Sequence, residues 1–300
     1  MKYWKTMLAA SLVMGLLLTG CGTTLEGAGD LSQPVSDPVS SQVAGADEMV
    51  TPKEVVEEGM EPIYGDSLKD GTYAITVDSS SSMFNIIACT LTVAQGEMTA
   101  EMTMGGTGYR YVYLGTGAAA AQADEATYIP YVEQATGQHT FTIPVEALNQ
   151  GIDCAAFSKN KEKWYDRELL FRADTLPISA FEEGTITTVE DLGLEDGTYT
   201  VEVTLEGGSG RASVQSPAAL TVKGGAAQVT LIWSSSNYQY LKADGVQYDP
   251  VTLEGGSTFE LPVTAFDWPV PVSASTIAMS TPHEIDYTLT FHSHTLVKER

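Results

Sequence analysis

Three alternating tyrosines are the clearest candidates for ligand contact in this chain. Tyr109, Tyr111 and Tyr113 occupy every second position of one short run, and alternate residues of a β-strand face the same side of a sheet. Tyrosine joins a broad apolar ring to a polar hydroxyl and loses little side-chain entropy on contact. The run predicts a tyrosine-lined face for a flat hydrophobic ligand or a sugar ring; the same pattern is also typical of an ordinary β-sandwich face.

Cys21 predicts a lipid anchor. The apolar run at 8–18 follows a basic start and is too short for a membrane span, which needs about 20 residues. It ends in Leu-Thr-Gly-Cys at 18–21, which resembles the bacterial lipoprotein box, where cleavage before the cysteine leaves a thiol that is diacylated. We therefore expect a lipoprotein signal peptide over 1–20. The mature protein would be extracytoplasmic, held to the cell membrane by palmitate-type chains on Cys21.

Composition and motifs argue against two classes of function. The formal net charge is −24, and phosphate backbones are bound by basic surfaces, so nucleic acid is excluded as a default partner. The sequence contains no phosphate loop, no Gly-x-Ser-x-Gly elbow and no His-Glu-x-x-His motif. We therefore expect a binding protein and not an enzyme.

Two further patterns have the residue types of metal ligands. His292 and His294 alternate, so both rings would face one side of a strand and either bind a divalent ion or form an incidental surface pair. Met98, Met102 and Met104 are separated by even numbers of residues and could be soft ligands for copper. Their spacing also suits one packed face of a strand, which is the interpretation that we favour.

An internal repeat predicts the elements that position these residues. Leu-Lys-Asp-Gly-Thr-Tyr at 68–73 recurs as Leu-Glu-Asp-Gly-Thr-Tyr at 194–199. The order of the further matches is kept along the chain, which indicates two copies of one module. These matches pair 89–93 with 218–222, 128–130 with 248–250, and 140–145 with 258–263.

Each copy reads as an all-β domain. Short runs of alternating apolar residues are separated by Gly, Pro, Asn and Asp, as in an antiparallel immunoglobulin-like sandwich. We expect one β-sandwich over 67–180 and a second over 193–295. The segment 21–66 before them is rich in Ser, Pro, Gly, Asp and Glu. It therefore predicts a disordered, flexible linker between the lipid and the modules.

Cys89 and Cys154 lie in the first module, and both are missing at the matching positions of the second, Ala218 and Val272. Joint loss is expected of two thiols that form one bond, and an exported protein meets an oxidising environment. We therefore predict a disulfide between them, with two separate buried thiols as the alternative.

Both modules resemble in outline the near-iron-transporter (NEAT) domains, immunoglobulin-like modules of bacterial surface proteins that capture haem. In that family a short lip with Ser and Met residues follows the first strand; here Ser82, Met83 and Phe84 stand in that place. A late hairpin of the family supplies a tyrosine to the haem iron, which makes Tyr165 the matching ligand. The family has a second tyrosine four residues on, where this chain has Leu169.

The resemblance implies a cell-surface lipoprotein that captures haem or an iron complex and delivers it to an importer. Haem would lie against the lip and the tyrosine face, with Tyr165 on the iron. The alternative is an adhesive or structural module that binds a glycan or a protein through the tyrosine face, without metal. Glycines and Arg211 occupy the place of the lip in the second module, which would then serve as a spacer.

Overall fold

The computed structural model describes residues 42–278 and 281–300. The predicted signal peptide, Cys21 and the first part of the predicted linker lie outside these residues. Within the described ranges, no helix has both the length and the apolar character needed to cross a membrane.

Two five-stranded antiparallel sheets form a first sandwich around one core. Their orders are β2-β4-β5-β9-β8 and β3-β12-β11-β6-β7, and β1 pairs with β10 beside them. The strands are β1 Ile63–Tyr64, β2 Gly71–Ala74, β3 Val77–Ser79, β4 Ile86–Ala94, β5 Glu97–Met104, β6 Tyr109–Leu114, β7 Ile129–Pro130, β8 Val132–Glu133, β9 His139–Val145, β10 Ala147–Leu148, β11 Gly151–Ser158 and β12 Trp164–Phe171.

A second sandwich encloses a second core. Its sheets have the orders β19-β16-β15-β13-β22 and β14-β21-β20-β17-β18, again with antiparallel pairs. The strands are β13 Gly197–Val201, β14 Val203–Gly207, β15 Ala218–Lys223, β16 Ala226–Ile232, β17 Tyr238–Ala243, β18 Val246–Tyr248, β19 Thr258–Val263, β20 Val270–Thr276, β21 His283–Phe291 and β22 Val297–Lys298.

The helices that lie within the described ranges are short. The α-helix α1 spans Gly117–Ala120. Single 3₁₀ turns lie at Ala46–Glu48, Gly65–Ser67, Glu125–Thr127, Ala173–Thr175, Ile178–Ala180 and Ser293–Thr295. The predicted all-β fold of antiparallel sandwiches is confirmed.

Both sandwiches have the same strand order. The series β2-β4-β5-β9 in one sheet corresponds to β13-β15-β16-β19, and β3-β12-β11-β6 in the other corresponds to β14-β21-β20-β17. Side chains alternate between core and solvent along the central strands, as expected of sheets with one buried face. Strand β5 shows this clearly, since Met98, Met102 and Met104 are all buried in the first core. These methionines are therefore packing residues, as we favoured over a copper site.

The prediction of a flexible linker is wrong for residues 42–66. Ala44 and Val55 are buried, the Ala44 N–H donates to the carbonyl of Trp164 at 2.9 Å, and the Lys53 N–H donates to that of Ser80 at 2.8 Å. Composition did not reveal this packing because the segment contributes only isolated apolar residues. Each of these residues packs against the surface of the sandwich, and that contact depends on the tertiary structure and not on the local sequence.

The predicted disulfide is absent, and Cys89 and Cys154 are both free, buried thiols. Cys89 lies on β4 and Cys154 on β11, which belong to opposite sheets of the first sandwich. Burial raises the pKa of both thiols to about 12, which keeps them protonated and unreactive.

Candidate functional site

A tight turn after β3 forms a lip at one end of the first sandwich. Ser80 fixes the turn to β12, since its Oγ accepts from the Glu168 N–H at 2.9 Å and its own N–H donates to the Glu168 carbonyl at 2.9 Å. The turn closes with a bond from the Phe84 N–H to the Ser81 carbonyl at 3.0 Å. At its tip, 64% of Met83 is exposed. The lip therefore holds an apolar, polarisable side chain in solvent, where it can contact a ligand.

Phe84 does not take part in this surface. It was predicted to contact ligand, but its side chain is fully buried in the first core. Its ring packs edge-to-face against Tyr109 at a centroid distance of 5.2 Å. Phe84 anchors the lip to the core, because an aromatic ring of this size gains most when it is removed from water.

A cleft of about 350 Å³ opens between the lip and the start of β6. Three glycines, Gly105, Gly106 and Gly108, form part of its wall and leave room where side chains would otherwise stand. The structure thus brings together three of the predicted contact residues, Ser82, Met83 and Tyr109. The remaining lining residues are Asn85, Met104, Ser158 and Asn160.

A chain of contacts leads from the lip to the predicted iron ligand. The Tyr109 hydroxyl donates to the Met83 carbonyl at 3.2 Å. One terminal nitrogen of Arg167, Nη2, donates to the Tyr109 hydroxyl at 3.4 Å. The guanidinium carbon of Arg167 lies 5.3 Å from the centroid of the Tyr165 ring, and Tyr165 is half-buried. These contacts link the lip and Tyr109, which line the cleft, to Arg167 and Tyr165, which lie behind it.

Arg167 is the unusual member of this site, because it is a buried cation without a countercharge. Only 7% of it is exposed, Nη1 donates to the Asp166 carbonyl at 2.6 Å, and Nε has no hydrogen-bond partner. Among the described residues, no carboxylate lies within ion-pair distance of it. A charge in such a place is costly unless something pairs with it. The site therefore suits an anionic group.

Sequence reasoning missed Arg167, although a signal was present. Leu169 and Phe171 are core residues of β12, and residues two apart on a strand share a face. The alternation that predicts a buried Leu169 also places Arg167 toward the core. An arginine at an inward position of a strand is the feature that could have identified it.

The second sandwich shows that the fold does not require a cation at this place. Arg167 pairs with Cys154 across the β11–β12 ladder, and Tyr287 pairs across the β20–β21 ladder with Val272, the counterpart of Cys154. Tyr287 therefore stands where Arg167 stands in the first copy. Its hydroxyl lies 3.2 Å from that of Tyr238, and burial raises the pKa of Tyr238. The second copy therefore places two phenols where the first sandwich has Tyr109 and the guanidinium of Arg167.

A large side chain also fills the region that corresponds to the cleft. Met98 pairs with Val145, and Ala227 pairs with Val263 in the second copy, so Trp233 lies in register with Met104. Trp233 is fully buried, and its ring centroid lies 4.4 Å from that of Tyr238 and 5.2 Å from that of Tyr287. The open cleft thus lies on the first sandwich, whereas the matching position of the second sandwich holds the buried ring of Trp233.

The predicted common face of three tyrosines is wrong. A register shift between Phe157 and Ser158 on β11 separates Tyr109 from the two tyrosines after it, because a bulge changes the alternation of side chains. Tyr109 packs on the first core. Tyr111 and Tyr113 lie in a separate aromatic cluster with Trp164, Phe157 and Tyr128.

This aromatic cluster is held together by contacts among its rings and with α1. The Tyr128 hydroxyl donates to the carbonyl of Ala120 in α1 at 2.7 Å, and Trp164 is 2% exposed. Tyr128 packs against Trp164 with ring centroids 4.8 Å apart. The rings of Tyr111 and Tyr113 therefore contribute to packing and do not join the cleft.

Comparison with known proteins finds a weak structural similarity that covers about a third of this chain. No family model and no curated protein matches the sequence. Among solved structures, the NEAT5 domain of IsdX2, a B. anthracis hemophore in complex with heme, matches 32% of this chain and 96% of its own at 18% identity, with a TM-score of 0.28. A mutant of IsdX2-NEAT5 in complex with heme matches 33% of this chain and 96% of its own, with the same identity and TM-score. At these values the likeness does not assign a ligand to this chain.

Proposed function

We propose that the first sandwich captures haem, or a similar flat and anionic iron complex, at the site formed by the lip, Tyr109, Arg167 and Tyr165. The observation that carries this proposal is the burial of Arg167 without a carboxylate partner. A carboxylate of the ligand that reaches the space between Tyr109 and Tyr165 supplies the missing countercharge. Binding rather than catalysis follows, because the site offers a cation, a phenol and apolar contacts but no base and nucleophile in contact.

In this proposal, different residues of the site contact the iron and the porphyrin of haem. The phenol of Tyr165 is a ligand type that haem proteins use for ferric iron, and Met83 contacts the flat porphyrin face from the exposed lip. Leu169, which stands where the NEAT domains have a second tyrosine, is fully buried in the core. Tyr165 therefore binds iron without that neighbour, and Arg167 beside its ring supplies the local positive charge.

Titration of haemin into the full chain in mild detergent tests the proposal. We expect a Soret band shifted from that of free haemin, saturating at one haemin per chain. In Tyr165→Phe the shift is lost, since phenylalanine offers no oxygen to the iron. Tyr240→Phe is the matched control, because Tyr240 is also half-buried and lies 5.3 Å from a cation, Lys242. An unshifted band in the wild type, or equal loss in both variants, overturns the assignment.

The alternative of a glycan-binding or protein-binding module rested on the tyrosine face. In this structure Tyr111 and Tyr113 are half-buried and pack with Trp164, so they do not share one face with Tyr109. An exposed apolar pair on the lip side, Met83 and Ile87, favours a protein contact instead. A glycan array and a haemin titration on the same preparation separate the two functions, since a glycan signal without a Soret shift supports the alternative.

We further propose that the protein is exported and anchored at the outer side of the membrane through Cys21, and that it passes its ligand to an importer. The support is the motif at 18–21 and the apolar run before it. In cells, Cys21→Ala should move the protein from the membrane pellet to the soluble fraction and abolish incorporation of labelled palmitate. Cys89→Ala is the control and should keep both properties, because Cys89 is a core thiol. Continued membrane association of Cys21→Ala contradicts the anchor.

A further inference from the structure

A second cluster of ligand-type side chains lies on the second sandwich, away from the lip. Two of the chain's four histidines, His292 and His294, come together there with Asp267. One donor atom from each residue lies within 4.8 Å of the other two. Donor atoms around a tetrahedral zinc ion lie about 3.3 Å apart, so small side-chain rotations bring the three onto one ion. We propose that Asp267, His292 and His294 bind a divalent transition-metal ion of the zinc class.

The carboxylate is held in place before any ion binds. The Ser293 N–H donates to Asp267 Oδ1 at 2.9 Å, and the Ser293 hydroxyl donates to Oδ2 at 2.5 Å. The backbone is fixed as well, since the Asp267 N–H donates to the Phe291 carbonyl at 2.8 Å. Each carboxylate oxygen keeps a free lone pair, so the aspartate remains a competent ligand while the turn that carries both histidines is tied to it.

His292 has the outer contact that metal-bound histidines usually have. Its Nε2 lies 2.7 Å from the Thr204 hydroxyl. With the hydroxyl accepting from Nε2–H, Nδ1 carries the lone pair that a metal ion requires, and the ring is oriented by its outer partner. The ring of His294 stands 5.8 Å away at an angle of 65°, so the two rings are not stacked and can both turn toward one ion.

The donor set determines the class of metal. Two imidazoles and one carboxylate suit Zn²⁺, Co²⁺, Ni²⁺ and Cu²⁺, whereas Ca²⁺ and Mg²⁺ prefer oxygen ligands throughout. His292 is half-buried and the other two residues are exposed, which leaves positions on the ion open to water or to an outside ligand. The net charge of −24 raises the concentration of cations near the surface. This site is independent of the haem proposal, because it lies on the other sandwich.

Co²⁺ serves as a coloured probe for this site. The full chain is dialysed against EDTA, freed of chelator and titrated with Co²⁺, with the visible d–d absorbance as readout and Zn²⁺ as competitor. We expect saturation at one Co²⁺ per chain and reversal by Zn²⁺. Asp267→Asn and His294→Ala should each weaken binding by about tenfold or more, the size of effect seen when metal-site partners are removed.

His283→Ala is the matched control for the cobalt titration. His283 is also exposed and lies on β21, the same strand that leads to His292, but it is not part of the cluster. Its removal should leave cobalt binding unchanged. Circular dichroism of each variant shows that the sandwich is intact. The proposal is overturned if the wild type shows no saturable cobalt binding, or if His283→Ala weakens binding as much as His294→Ala does.

Discussion

Arg167→Met is expected to make the chain more stable and, at the same time, unable to bind haemin. The guanidinium is 7% exposed, and no carboxylate in the described part of the chain pairs with it, so the folded protein bears the cost of a buried charge. Methionine removes that charge and keeps most of the volume. We expect the free energy of unfolding to rise by about 2 kcal/mol and haemin affinity to fall by about tenfold or more, as for a lost charge-assisted hydrogen bond.

The control for this prediction is Arg172→Met. Arg172 is a nearby arginine that has carboxylate partners, since it pairs with Asp174 at 2.8 Å and with Glu57 at 3.2 Å. Its removal leaves Asp174, which is 5% exposed, without its partner, and should lower stability by about 3 kcal/mol. Urea unfolding and haemin titration are measured on both variants. Destabilisation by Arg167→Met, or retained haemin binding, would show that Arg167 is a structural residue and not a ligand residue.

Trp233→Ala should be the most destabilising single change in the second sandwich. The side chain is fully buried and packs against Tyr238, Tyr287 and Phe259. Removing the indole leaves a large cavity, and we expect a loss of about 3–5 kcal/mol in the free energy of unfolding. The urea midpoint is the measurement that checks it.

A second tryptophan provides the comparison. Trp268 is half-buried and packs against Phe181 with ring centroids 5.3 Å apart, so Trp268→Ala should cost clearly less than Trp233→Ala. Equal costs would mean that the Trp233 ring contributes no more to packing than the half-buried Trp268 ring does, contrary to the burial of Trp233.

The features that follow from local alternation could be predicted from the sequence. For a strand such as β5, the buried face can be predicted from the sequence, because apolar residues recur at every second position and the flanking turns contain glycine. Met98, Met102 and Met104 lie on that face. The repeat predicts that both copies share one strand order. The lip at Ser82 and Met83 was predicted from the resemblance to the NEAT domains and not from the alternation of side chains.

The features that depend on contacts between distant segments could not be predicted in this way. The register shift at Phe157 separates Tyr109 from Tyr111, and nothing in the alternation of the tyrosines reveals it. Ala44 and Val55 are buried only because they pack against the folded first sandwich, which is formed by segments distant in sequence. The missing countercharge of Arg167 becomes visible only when every neighbouring strand is in place.

Hydrogen exchange with and without haemin tests the central claim most directly. The claim is that one ligand occupies the cleft of the first sandwich and that the second sandwich, closed by Trp233, takes none. The full chain should show slower exchange at 80–86, at 105–109 and at 164–168 when haemin is present, with no change at 230–240 or 283–287. Protection confined to the second sandwich, or none at all, would contradict the account.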